Sequence, residues 1–198
     1  MKKIYILIFG IIMLMIQGCS SVQSKVVAVD SYSTHNTFGG TYYLTTNTQG
    51  MQLQQDYFAS QLQYMLGTKG YTRLNDKKYA QYIINYNYDV SGPFTSVQSY
   101  QVPVNPWWGA GYYGGVYGGY YGTTWTNSVE ASTYFVKKLE VSAYDKNNNP
   151  IWQVVGTLKS SDSELRDSFP YLVSGIAPYV NENSNKIVYV SVPMSPNN

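Results

Sequence analysis

Residues 79–90 alternate between apolar and polar side chains, and this alternation limits the possible folds more than any other feature of the sequence. Most of the polar positions are Gln, Asn or Asp, with Ile83 among them. The apolar positions of the period are Ala80, Tyr82, Ile84, Tyr86, Tyr88 and Val90. Because side chains along a strand point to alternate faces, the pattern predicts a strand with one buried and one wetted face, as is typical of antiparallel sheets.

Several other segments have the composition of strands. Val26, Val27 and Val29 begin the first, and residues 41–45 form a second after the Gly39-Gly40 turn. The turn cluster 145–150 joins two further strands into a hairpin. The later predicted strands are residues 134–144, 151–159 and 187–192.

Two stretches have a helical period instead. Residues 51–69 carry an apolar stripe that ends at Gly70, a typical stop signal. The second stretch follows residues 161–164, whose sequence Ser-Asp-Ser-Glu has the form of a capping box, and Pro170 either kinks that helix or restarts it. The predicted fold class is therefore α+β, with an antiparallel sheet of four to six strands and two helices packed on one of its faces.

The N-terminus indicates export. Lys2 and Lys3 precede an apolar stretch of 13 residues, which is shorter than the roughly 20 residues that a membrane-spanning helix needs. The stretch ends in Gly18-Cys19, which resembles the lipobox of bacterial lipoproteins, although Gln17 departs from the usual pattern. The resemblance implies a cleaved signal peptide, residues 1–18, followed by a lipidated Cys19.

Location follows from the same resemblance. Two acyl chains suffice for stable membrane attachment, and a triacylated cysteine carrying palmitate-type chains has three. Residue 20 is Ser rather than Asp, which by analogy with the enterobacterial sorting rule implies the outer membrane, facing the periplasm. An uncleaved anchor with an incidental cysteine is the alternative. The expected layout is a tether at residues 19–25, one domain at 26–192 and a tail at 193–198.

Composition excludes several classes of function. Cleavage removes two of the 13 basic residues and none of the 11 acidic ones, so the mature chain is close to neutral and is not expected to bind nucleic acid. His35 is the only histidine and Cys19 the only cysteine, too few ligands for a zinc site. Residues 109–114 match G-x-G-x-x-G without a strand before or a helix after, so we expect no nucleotide site and no cofactor. A carboxylate cluster begins at Asp162, and a helix N-terminus explains it without catalysis.

Residues 97–126 form a Tyr- and Gly-rich insertion far longer than a usual connection. A low-complexity insert is one interpretation. The other is a contact surface that stacks on sugar rings or a partner protein of the envelope, or that lies at the lipid headgroup level. Its candidate residues are Trp107, Trp108, Tyr112, Tyr113, Tyr117, Tyr120, Tyr121 and Trp125.

The order of these features resembles a known family. After the lipobox come Thr41-Tyr42-Tyr43-Leu44, Gly70-Tyr71, residues 80–86, Leu139-Glu140-Val141, Ile151-Trp152 and Phe169-Pro170. Over roughly residues 25–182 the chain resembles the bacterial lipoproteins grouped as domain of unknown function 4136, with departures at Gln81 and Gln153. The resemblance implies fold and location and assigns no catalytic residue.

The expected function is that of a membrane-anchored envelope lipoprotein without enzymatic activity, serving as a binding or assembly component. Two alternatives remain. One is a hydrolase of envelope polysaccharide or cell wall, and the other is a purely structural lipoprotein.

Overall fold

The structure is a computed structural model that describes residues 23–34, 38–104 and 124–194. A seven-stranded mixed sheet runs through them in the order β3-β2-β4-β5-β6-β1-β7. The helices are α1 (Gln52–Thr68) and α2 (Phe169–Ile176), the latter continued by a 3-10 turn, Ala177–Tyr179. The strands are β1 (Ser24–Ser33), β2 (Gly40–Thr46), β3 (Tyr71–Arg73), β4 (Tyr82–Val104), β5 (Thr124–Tyr144), β6 (Pro150–Ser160) and β7 (Val188–Pro193).

The predicted antiparallel sheet of four to six strands is wrong, and so is the α+β class, because the protein is mostly β with two short helices. The sheet is mixed because of the crossover through α1. This crossover returns the chain to the end of the sheet where β2 began, so β3 runs parallel to β2. Residues 74–81 then turn back again, and β4 pairs parallel with the other side of β2. The three-residue β3 is too short to show an alternating pattern in the sequence.

The β4–β5 ladder is much longer than the sequence predicts. It runs from Ile83 opposite Tyr144 to Val104 opposite Thr124, with one irregularity between Ser91 and Phe94. Neighbouring strands pair only with residues 82–86 of β4 and 135–144 of β5. Residues 94–104 and 124–134 therefore form a two-stranded ribbon beyond the sheet, which we call the arm. Both flanks of the Tyr- and Gly-rich insertion are strand, while its centre lies outside the described residues.

Both helices cover one face of the sheet. Phe58 of α1 stacks on Phe169 of α2 with ring centroids 3.9 Å apart, and Tyr88 of β4 meets both rings edge-on. Such aromatic pairs add about 0.5–1.5 kcal/mol beyond the area they bury. The largest fully buried apolar side chains on this face are Tyr42, Phe58, Phe169, Leu62, Leu66, Ile84, Leu139, Leu172, Ile176, Val27 and Val29.

The second helix does not begin at the predicted capping box. It begins at Phe169, with Pro170 in its first turn, and Ser168 at the N-cap position makes no side-chain cap hydrogen bond. Proline fits the first helical turn because the missing N–H would have no intrahelical partner there. Residues 161–168 instead wrap around the side chain of Lys137, as described below.

Helix α2 approaches β1 so closely that only glycine fits at Gly175. A Cβ atom built there would lie 2.7 Å from Cβ of Val27 and 2.8 Å from its Cγ1. Gly67 in α1 differs, since a Cβ atom there meets nothing within 4 Å. The two helical glycines therefore form a matched pair.

We expect Gly175→Ala to lower the free energy of unfolding by about 1–3 kcal/mol, because the added methyl group overpacks the contact with Val27. Gly67→Ala should raise it by up to about 1 kcal/mol, since alanine favours the helix and clashes with nothing. Urea denaturation of both variants measures the difference. Equal effects would contradict the close approach of α2 to β1.

Candidate functional site

Most residues that the sequence singled out lie outside the described residues. Trp125 is the exception among the aromatic candidates, because its backbone pairs with Pro103 in the arm, although its side chain is not described. Those outside are Cys19, His35, Trp107, Trp108, Tyr112, Tyr113, Tyr117, Tyr120 and Tyr121. The structure does show the position of the arm, whose two strands precede and follow the segment that carries these aromatic residues.

The arm has exposed faces and unpaired edges. Val97 and Val129 lie on one face and are 64% and 65% exposed. Gln98 and Glu130 pair on the opposite face, and Glu130 is the only charged residue of the arm. Beyond Phe94 on β4 and before Phe135 on β5, no other described strand pairs with the outer edges. The arm therefore presents backbone donors and acceptors on both sides.

The arm leaves the sheet at the end where β1 begins. Val27, near the start of β1, pairs with Leu158 of β6. Two residues further along β6, Ser160 pairs with Phe135 of β5, which directly follows the arm residues 124–134. The arm extends beyond the position of Ser24 by about ten residue pairs, which corresponds to a length of roughly 34 Å at ~3.4 Å per residue. The start of β1 and the arm therefore lie at the same end of the sheet.

The sheet face opposite the helices carries a shallow groove near this end. Its volume is about 710 Å³, and three of its apolar side chains are between 48% and 72% exposed. Asp30 is the only carboxylate in its lining, and Lys159 is its only cation. The lining residues are Val26, Ala28, Asp30, Val136, Val155, Thr157, Lys159, Ile187 and Tyr189. A groove with one carboxylate lacks the acid pair that glycoside hydrolysis needs.

Lys137 of β5 is fully buried beneath the loop that precedes α2. Its Nζ donates to Oδ1 of Asp162 at 2.7 Å and to Oγ of Ser168 at 2.8 Å, and also to the carbonyl oxygen of Glu164. An ammonium group has three donors, and all three are used. The site therefore holds the loop against the sheet and leaves no free amine for chemistry.

The partner carboxylate remains near solvent. The side chain of Asp162 is 54% exposed, and its Oδ2 accepts a hydrogen bond from Ser160. The Lys137 hydrogen bond, followed by that from Ser160, lowers the pKa of Asp162 to about 2. This pair was not predicted from the sequence, although Lys137 stands in phase with the inward-facing Leu139 and Val141.

Buried hydroxyl groups offer no acid or base near neutral pH. Burial raises the pKa of Tyr42 to about 12, and the same effect, with a smaller one from Tyr88, raises the pKa of Tyr86 to about 12. Within the described ranges, no three His, Cys, Asp or Glu residues are close enough to hold a metal ion. Across those same ranges, no helix combines the length and the apolar character needed to cross a membrane.

We expect Asp162→Asn to cost more stability than Lys137→Met. The first leaves a buried ammonium without its carboxylate, which costs about 3–5 kcal/mol in a fully buried pair and about 2 kcal/mol here, because Asp162 is half exposed. The second removes the buried charge and keeps an apolar chain of similar volume, so its cost is limited to the hydrogen bonds lost by the Glu164 carbonyl and the Ser168 hydroxyl, about 1 kcal/mol, because that hydroxyl can still donate to that carbonyl. Chemical denaturation of both variants tests this order, and the reverse order would contradict it.

Acid should weaken the Lys137–Asp162 interaction. The folded-state pKa of Asp162 lies at about 2, below the ordinary aspartate value of 3.8. Its contribution is therefore complete above the unfolded value and is lost as pH falls through the folded one. The difference in unfolding free energy between wild type and Asp162→Asn should shrink between about pH 4 and pH 2. A difference that stays constant over this interval would show that ionised Asp162 contributes nothing.

Comparisons with known proteins identify a family and leave the activity open. No curated protein matches the chain. It is similar to a solved PDZ domain protein from Parabacteroides distasonis, with a TM-score of 0.42, 10% identity, and coverage of 86% of this chain and 39% of that one. It is also similar to a chain of a PelC dodecamer from Paraburkholderia phytofirmans, with a TM-score of 0.40, 14% identity, and coverage of 77% of this chain and 95% of that one.

The chain thus spans about two fifths of the length of the first of these two structures. The profile of a family described as "Domain of unknown function (DUF4136)" matches residues 21–176, which confirms the family predicted from the sequence. The protein belongs to the DUF4136 family.

Proposed function

We propose that the protein is a lipoprotein of the bacterial outer membrane, anchored through Cys19, that acts as a binding or assembly component without enzymatic activity. The observation that supports this is the common position of Ser24, where β1 begins, and of the arm. Both lie at the same end of the sheet.

Chain lengths at this end favour a contact between the arm and the membrane. Cys19 and Ser24 are five residues apart in the sequence, so the extended chain between them spans at most roughly 17 Å. The arm reaches about twice as far from the same level. With Cys19 held in the headgroup layer, an arm of this length lies along the membrane or enters it. The Trp and Tyr residues between its two strands suit that interface.

The two alternatives have less support. A hydrolase of envelope polysaccharide or cell wall needs two acidic groups facing one cleft, and the groove on the open sheet face carries only Asp30. A purely structural lipoprotein is favoured by no specific feature of the described residues, whereas the projecting ribbon with exposed faces favours a contact role. The arm is therefore best explained as a contact element, for the membrane or for an envelope protein or glycan.

The anchor can be tested through the cysteine itself. Because acylation requires the thiol of Cys19, Cys19→Ala should accumulate as a precursor that retains residues 1–18 and takes up no radiolabelled palmitate. The wild type should carry label and sediment with membranes. Lipid label on the variant would refute the proposed attachment.

Ser20→Asp serves as the matched control for location. It leaves the thiol intact, so palmitate labelling should stay at the wild-type level. By the sorting rule, the labelled protein should move from the outer-membrane to the inner-membrane density fraction. Unchanged fractionation would remove the basis for assigning the outer membrane.

A further inference from the structure

We propose that the arms of neighbouring copies pair edge to edge, with the free edge of β4 in one copy bound to the free edge of β5 in the next. The protein would then assemble head to tail on the membrane. This inference rests on the proposed anchoring through Cys19, and it names the partner of the arm as a second copy of the chain.

The first reason is the unpaired backbone. Residues 94–104 and 124–134 pair with each other, and no further described strand lies beside either. Each outer edge thus presents a row of N–H and C=O groups that only another extended chain can match along its length. A two-stranded ribbon is marginally stable in water, so an added strand benefits it. The other sheet edges are shorter, since β3 has three residues and β7 has six and ends at Pro193.

The arm also lacks most features that keep exposed strand edges apart. It contains no lysine or arginine, Glu130 is its only charge, and Pro103 near its far end is its only proline. Charged side chains and prolines are the usual protection of such edges. Identical arms therefore meet almost no repulsion, and the exposed Val97 and Val129 add apolar surface to the contact.

A common membrane selects the pairing direction. Where the arms enter the membrane, copies anchored in one leaflet point the same way, so the same strand in two copies runs in the same direction. β4 and β5 run antiparallel within one copy, and β4 of one copy is therefore antiparallel to β5 of the next. This pairing continues the geometry that the arm already has, and its repetition is a heterologous contact that closes into a ring or continues as a row.

The membrane should also strengthen the contact. Backbone groups without partners cost more in lipid than in water, where solvent can bind them. An arm that touches or enters the bilayer thus gains more from an added strand than the same arm in solution. Association should depend on the anchor.

The test uses full-length protein produced with its leader and kept in native membranes. Gln98→Cys marks β4 and Ser132→Cys marks β5, on the same face of the arm. The two variants carry different affinity tags, are produced together, and are treated with a short bis-maleimide. An acylated Cys19 cannot react, so the wild type reports background.

If the arms pair head to tail, the yield of crosslinked product that contains both variants should exceed the yield of the product of either variant with itself. Adding Val97→Lys, which places a charge on an exposed position of the arm, should reduce the mixed product by roughly tenfold, the effect of losing about one net backbone hydrogen bond. Tyr189→Lys on the exposed strand β7 is the matched control and should leave the product unchanged. Melting temperatures verify that each variant is folded.

Each other outcome overturns a distinct statement. Membrane-bound protein that yields only same-variant products, or none, overturns head-to-tail pairing while the anchor stands. Mixed product of equal yield after the membranes are dissolved in detergent overturns the role of the membrane in selecting the contact. Wild-type protein that is crosslinked through its own thiol, or is missing from the membrane fraction, overturns the proposed anchoring itself.

Discussion

The ladder between β4 and β5 is the interaction on which the rest of the structure depends. The two strands lie side by side within the sheet, with β2 and β3 attached beyond β4 and with β6, β1 and β7 attached beyond β5. Its register decides which residues face the helices, because Tyr88 lies opposite Leu139 and Tyr86 opposite Val141. A slip by one residue would turn these side chains to solvent. The same ladder continues past its neighbours and becomes the arm.

The helix face combines tight packing with one buried charge. Gly175 lets α2 lie directly on Val27, and the stacked rings of Phe58 and Phe169 join the two helices. Lys137 enters this apolar layer because the loop before α2 offers it three oxygen acceptors. A buried ion pair adds little stability by itself, but a loop that must satisfy the amine can adopt few alternatives. The charge therefore serves to define the path of the chain from β6 to α2.

The two ends of the sheet differ in character. At one end the β5–β6 hairpin closes in a tight turn, where Asp145 accepts hydrogen bonds from the backbone N–H groups of Asn147 and Asn149. At the other end the chain enters β1 and the arm leaves, and this is where exposed apolar side chains and unpaired backbone groups occur together. The contacts that we propose for this protein lie at the end with the arm.

Local sequence determined much of the inner sheet. The alternation in residues 79–90 identified the buried face of β4, and the apolar stripe in residues 51–69 identified α1 to within one residue at each end. The motifs around Gly70-Tyr71 and Ile151-Trp152 are among those that indicated the family, and the structure joins them through a hydrogen bond from Trp152 Nε1 to the Tyr71 hydroxyl. These features are readable because each depends on a short period and on burial of one face.

Tertiary structure alone decided the rest. The parallel pairing of β2 with β3 and β4 depends on where the α1 crossover returns the chain, which no local pattern records. The arm was not predicted because both of its faces are exposed, so no burial imposes an alternation on Val97, Gln98 or Val129. The burial of Lys137 depends on a loop 25 to 31 residues further along the chain, which supplies its acceptors. Periodicity reports which face of an element is buried, whereas partners far apart along the chain are chosen only when the whole sheet assembles.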